Sequence, residues 1–197
     1  MAFIGTIPEN EAKERVAGIY EEDREGWGFV PNFTQVFALR PDVYDAWGHL
    51  ITAIRAGMDR RRYELATVAA AQQLRSSYCT MAHSRVLRAR FYDTETVRDI
   101  VIDRNAAGLD EVDLAIMNFA ERVVVDAASI TEEDIKALKE VGLSDGEILD
   151  VALAAAARSF FAKVLDAVGA PPDPEYREML EPELQEALTV GRPIEDG

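Results

Sequence analysis

The sequence has one cysteine and two histidines, and its bases are far outnumbered by its acids. A single cysteine, Cys79, cannot close an internal disulfide, which excludes the small secreted scaffolds held together by bridges. With His49 and His83 as the only imidazoles, the three or four protein ligands of a zinc site are not in prospect, and neither a metal nor another cofactor is expected. His49, in "AWGHL", reads as a core or helix-surface residue. Lys and Arg total 21 against 36 Asp and Glu, a formal net charge of -15. Such a surface repels phosphate backbones, so nucleic acid is not an expected partner. The one compact basic cluster, "DRRRYE" at 59 to 64, is flanked by acids and reads as a solvated helix start.

Long apolar runs are missing as well. The best, "ILDVALAAAARSFFAKVL", is interrupted by Asp150, Arg158 and Lys163, so no membrane span is expected. The opening "MAFIGTIPENEAKERV" lacks the basic-then-apolar order of a secretory signal, which makes a cytoplasmic location the expectation. No period-two apolar alternation is long enough to demand a sheet. No proline-rich linker interrupts the middle of the chain, so its 197 residues, 48% hydrophobic, are expected to form one domain with a real core.

What is present reads as helix almost throughout. Pro41 suits the first turn of a helix carrying Trp47, Leu50, Ile51 and Ile54 and stopping near Gly57. A helix from about Arg60 to Leu74 is alanine-rich at 69 to 71, which permits close approach of a neighbour. The next begins at Ser76 or Ser77. Asn32 is placed to cap a short helix through Ala38. Thr131 with Asp134, and Ser144 with Glu147, are N-cap patterns, the second a capping box. The helix that Ser144 opens runs to Gly169, and Pro171 and Pro172 prevent a restart. Residues 1–170 are thus read as the helical domain and 171–197 as a C-terminal tail, either mobile or an arm that packs on a partner subunit.

The chemistry gathers in "YELATVAAAQQLRSSYCTMAHSRVL". With Ser76 as N-cap, Cys79 stands in the first helical turn, where free N–H groups and the helix dipole favour a thiolate. His83, four residues on, shares its face. Glu64 comes near only if two helices fold back on each other, and would then orient the imidazole. A lone cysteine in an alanine-rich helix equally fits a small buried hydrophobe.

The order Glu64, "SSYC" at 76 to 79, then His83 resembles the alkylhydroperoxidase D-like (AhpD-like) family, which includes the carboxymuconolactone decarboxylase proteins. "GFVPNFTQVFALRPDVYDAW" is similar to the leader of its peroxidase-related branch, and the stretch from "LDEVDLAIMNFAERV" to "FFAKVLDAVG" to the portion after the active site. The resemblance implies an all-α, single-domain AhpD-like fold and assembly into homo-oligomers, trimers or hexamers, with the thiol near subunit contacts. It also implies Cys79 as the thiol that attacks peroxide, His83 and Glu64 as a proton relay, and position 76 as the resolving thiol. Ser76 stands there instead, so the resolving position is lost and an external thiol or reductase is the implied partner. Ser159, Phe160 and Phe161 replace asparagines common in that branch.

Three functions follow as expectations. The first is a one-cysteine, peroxiredoxin-type peroxidase whose Cys79 sulfenic acid awaits an external thiol. The second is a non-redox decarboxylase-like enzyme with Glu64 and His83 as acid and base on a small carboxylated lactone or related acid, for which Arg75 and Arg85 are the nearest cations. The third is a helical oligomer without catalysis.

Overall fold

Eleven α-helices and two short 3₁₀ turns carry the chain, and no strand occurs among the described residues, 2–195 of the computed structural model. In order these are α1 Glu14–Trp27, α2 Asn32–Phe37, α3 Pro41–Ala56, α4 Arg60–Gln73, α5 Ser77–Arg90, α6 Thr94–Ile102, α7 Glu111–Asp126, α8 Glu132–Glu140, α9 Asp145–Ala167, α10 Tyr176–Met179 and α11 Pro182–Leu188.

Helix α4 is the centre of the molecule. Every residue from Tyr63 to Ala71 is buried, and α5, α7 and α9 pack around it. Its alanines make this possible: at 69 to 71 small side chains on successive faces let neighbours approach on all sides. Asp59 caps α4 by accepting from the Arg62 amide. The ends of α8 and α9 follow the sequence pattern, with capping boxes at Thr131–Asp134 and Ser144–Glu147. Helix α9 ends where Gly169 takes φ +73, a left-handed conformation that glycine adopts at little cost.

The turn from α4 to α5 positions the site. Arg75 adopts φ +55, the Arg75 amide donates to the Gln72 carbonyl at 2.9 Å, and the Ser76 amide donates to the Ala71 carbonyl at 3.0 Å. This is a Schellman ending with a non-glycine residue in the left-handed position, a local cost of roughly 1 kcal/mol. It turns the chain sharply enough for α5 to lie back along α4, so residues near the start of α4 meet residues one turn into α5.

Residues 171–195 pack on their own chain. Tyr176, Leu180, Leu184, Leu188 and Ile194 are buried and join the main core, with α11 against α6 and α5. Asn32 does not cap α2, whose N-cap is Pro31; its side chain donates instead to the Pro171 carbonyl and to Glu195, tying the last segment to the start of α2. Helices α1 and α2 close a small separate cluster of Ile19, Tyr20, Val30 and Ala38. No helix of the described residues is long and apolar enough to cross a membrane.

Candidate active site

A cavity of about 800 Å³ opens between α1, α3, α4, α5 and α9. Cys79, His83 and Glu64 all line it, so the fold brings together the three residues that the sequence singled out. Glu64 is fully buried on α4. One carboxylate oxygen lies 2.5 Å from His83 Nδ1, the other 2.7 Å from Arg60 Nε, one helical turn earlier. An ionised carboxylate only accepts hydrogen bonds, so the proton of a neutral His83 sits on Nδ1 and the Nε2 lone pair is free. Burial, and then the charge of Arg158, push the His83 pKa below its ordinary value of 6.5, while Glu64 pulls the other way. The Glu64 contact and the lowered pKa thus favour an oriented imidazole in its neutral form.

Cys79 occupies the first turn of α5 behind Ser76, as the sequence suggests, and is only 2% exposed. Ser76 is the N-cap by position but its side chain makes no capping bond. The sulfur takes its hydrogen bond from Arg158 on α9, with Nη1 at 3.4 Å; among the described residues no hydrogen bond joins Cys79 to His83. Arg75 is not part of the cavity: its Nε donates to the Val190 carbonyl. Arg85 is, stacked at 5.0 Å on the Trp27 ring.

Sequence reasoning missed Arg158, Arg55, Arg60 and the aromatic wall. Phe161 stacks on Trp47 at 4.8 Å and on Phe37 at 5.0 Å, and Phe33 meets Phe161 edge-on. Phe161 is thus part of the cavity surface, whereas its neighbour Phe160 is exposed. A signal for Arg158 existed: it falls in phase with the buried stripe of Val151, Ala154, Ala155, Ala162 and Leu165 on α9. A charged residue on the core stripe of a helix needs a partner or a cavity. His49 also lines the cavity, and no group of three or more His, Cys, Asp or Glu among the described residues is placed to hold a metal ion.

Behind the site a second polar cluster fixes the first turn of α5. The Tyr78 hydroxyl donates to Asp173 at 2.5 Å and accepts from the Phe33 amide at 3.1 Å; the Asn32 amide donates to the other Asp173 oxygen at 2.6 Å. Burial raises the Asp173 pKa to about 7.

Residues 41–122 match the carboxymuconolactone decarboxylase family. No curated protein matches the chain. Among solved structures, an uncharacterized peroxidase-related protein from Ralstonia eutropha JMP134, described as an alkylhydroperoxidase AhpD core, is similar at a TM-score of 0.80 and 22% identity, over 89% of this chain and 94% of that one. A peroxidase-related protein from Silicibacter sp. TM1040 gives a TM-score of 0.75 at 22% identity, over 88% and 90%. The debrominase Bmp8, in a variant complexed with 2,3,4-tribromopyrrole, gives 0.72 at 15% identity, over 94% and 96%. The protein is thus an all-helical, single-domain protein with the AhpD-like fold, and its segment 41–122 matches the carboxymuconolactone decarboxylase family.

Proposed function

We propose that the protein is a non-redox enzyme that moves a proton at carbon on a small unsaturated ring compound. The observation that carries this reading is the pair of Glu64 and His83 at 2.5 Å on the wall of an 800 Å³ cavity. A cavity of that volume suits a ring compound and far exceeds what hydrogen peroxide needs. His83 Nε2 takes a proton from a ring carbon, the imidazolium is held against Glu64, and the same proton returns to another carbon. The substrate's double bond shifts and no electrons leave it. In a decarboxylation His83 Nε2 takes the carboxyl proton, the C–C bond breaks, carbon dioxide departs, and the imidazolium returns that proton to the carbon that keeps the electron pair. Neither course needs a second thiol, which the chain lacks. The family matched by residues 41–122, and a similar fold that holds a halogenated pyrrole, support a ring substrate.

A second reading rests on Arg158. A guanidinium N–H directed at a first-turn sulfur is a setting that favours a thiolate, and Cys79 then attacks peroxide. The sulfur takes one peroxide oxygen as the O–O bond breaks, the other oxygen leaves as water, and two external thiols reduce the Cys79 sulfenic acid to the thiol with release of their disulfide and water, since Ser76 cannot.

The test is a panel of carboxylated lactones and conjugated ring acids incubated with the protein in deuterated water and followed by proton NMR. Loss of a carbon-bound proton signal, or release of carbon dioxide, is expected for at least one member. Inertness across the panel, together with Cys79-dependent consumption of peroxide and thiol, would favour the second reading.

A further inference from the structure

Arg158 is a buried cation without a carboxylate. It is 5% exposed, its Nε has no hydrogen-bond partner, and its polar neighbours are the Cys79 sulfur and Tyr63. The rings of Phe161 and Trp47 stand 5.3 Å and 5.9 Å from the guanidinium carbon. A guanidinium removed from water destabilises the fold unless an opposite charge meets it. The chain does not lack acids: Arg15, Arg24, Arg61, Arg104 and Arg122 all pair with Asp or Glu. Around the cavity Arg15 and Arg60 are paired in the same way, but other arginines are not. Arg55 lies over Tyr63 at 5.8 Å and Arg85 over Trp27 at 5.0 Å, and among the described residues neither has a carboxylate partner; the Arg85 Nε is buried and unpartnered. In a protein with a net charge of -15, Arg55, Arg85 and Arg158 nevertheless face one internal space with no carboxylate partner among the described residues.

We propose that Arg158 is the anion receptor of this cavity, and that its ligand is a flat conjugated ring bearing one carboxylate. The guanidinium fork matches a carboxylate in two parallel hydrogen bonds. Trp47 and Phe161, already stacked on each other, offer aromatic faces beside that fork. Arg55 and Arg85 add positive potential without a fixed partner of their own. The Cys79 sulfur uses one Nη1 N–H of Arg158, so a carboxylate seated on the guanidinium fork competes with that contact. The inference deepens the proposed function by naming the substrate class, but it concerns binding and does not depend on proton transfer.

The experiment compares cinnamate with its neutral isostere cinnamamide. Trp27 and Trp47 are the only tryptophans and both line the cavity, so intrinsic fluorescence reports occupancy, with isothermal titration as a second readout. Wild type is expected to bind cinnamate at least about tenfold more tightly than cinnamamide, the value of one or two charge-assisted bonds. Arg158→Met should bring the two affinities together by weakening cinnamate binding, while Arg158→Lys keeps part of the preference. A preference that survives Arg158→Met, or equal affinities in wild type, overturns the proposal. Should the Met variant not fold, wild type alone decides through iodoacetamide alkylation of Cys79. Half-protection at a cinnamate concentration about tenfold below that of cinnamamide is expected, and equal concentrations overturn it. His83→Asn separates the two inferences. If it abolishes no proton transfer but the carboxylate preference stands, the proposed function fails and the anion receptor remains.

Discussion

Arg158 on α9 donates a hydrogen bond to the sulfur of Cys79 on α5 at 3.4 Å, across 79 residues of chain. The cation at the thiol is therefore an arginine. His83, one turn beyond Cys79, is directed to Glu64 and kept uncharged by burial and by that same arginine. Thiol and imidazole, adjacent on one helix, hydrogen-bond to different partners, while Arg158 acts electrostatically on both.

Thiol reactivity should accordingly depend on α9 more than on His83. In the ligand-free protein at pH 7, Arg158→Met is expected to slow iodoacetamide alkylation of Cys79 by about tenfold, the loss of one charge-assisted contact. His83→Asn should change it by less than about threefold. Mass spectrometry of the alkylated peptide over time measures both. The opposite order would return the thiol to the imidazole.

The pH dependence of turnover follows from His83. Its folded-state pKa lies below 6.5, so the neutral base persists as pH falls through 6.5 and the acidic limb of kcat/KM lies below that value. Arg158 lowers this pKa by repelling the imidazolium, so Arg158→Met should move the limb to higher pH. The position of the limb, not the height of the plateau, is the readout, because Arg158 also affects binding. An unmoved limb would mean that the titrating group is not His83.

Asp173 should make stability depend on pH in the opposite sense from most carboxylates. Its pKa is raised from 3.8 to about 7 by burial beside Tyr78. Between those values the folded state holds a proton that the unfolded chain releases, so stability is highest below the unfolded pKa and declines as pH rises to about 7. Urea unfolding at pH 5 and pH 8 should show wild type losing on the order of 2 kcal/mol relative to Asp173→Asn. Parallel pH profiles for the two proteins would count against it.

Gly191 packs where no side chain fits. Its amide donates to the Ser77 hydroxyl at 2.8 Å, and a Cβ there would overlap the Arg75 carbonyl oxygen. Gly191→Ala should cost about 1–3 kcal/mol, since the obstacle is backbone that is already in a strained turn. Thermal melts would register a drop of several degrees. An unchanged melt would mean that the last segment does not hold the start of α5.

Self-association is expected from one face of α9. Leu149, Leu153, Ala156 and Phe160 recur at helical spacing and are exposed, and the Phe160 ring contacts Trp47 of α3. A second copy of this chain is the proposed occupant, because an apolar stripe this regular on a strongly charged surface needs cover. Light scattering at micromolar concentration should give a multiple of 21.8 kDa, reduced to one copy by Leu153→Glu. A monomeric wild type would contradict the proposal.

Local chemistry made much of this legible in the sequence. Capping boxes at Thr131 and Ser144, the start of α5 at Ser77 and the left-handed stop at Gly169 are settled by interactions within a few residues. The convergence of Glu64 with His83 needed a tight turn, and the residue that makes it, Arg75, is not one whose identity announces a positive φ. Arg158 was visible only as a break in an apolar run; its position on the buried stripe gained meaning once α9 lay against α5. The segment after Pro171 looked like a tail because prolines and short elements hide its period, yet Tyr176, Leu180, Leu184 and Leu188 recur every four residues and are all buried.

The most direct test of the central claim is proton exchange in deuterated water by two single variants, read by NMR on whichever ring acid wild type exchanges fastest. If His83 and Glu64 run the chemistry, Cys79→Ser keeps the rate within about threefold and His83→Asn lowers it at least about a hundredfold. Loss of exchange in Cys79→Ser, with His83→Asn still active, would contradict the acid–base account and leave the thiol as the reacting group.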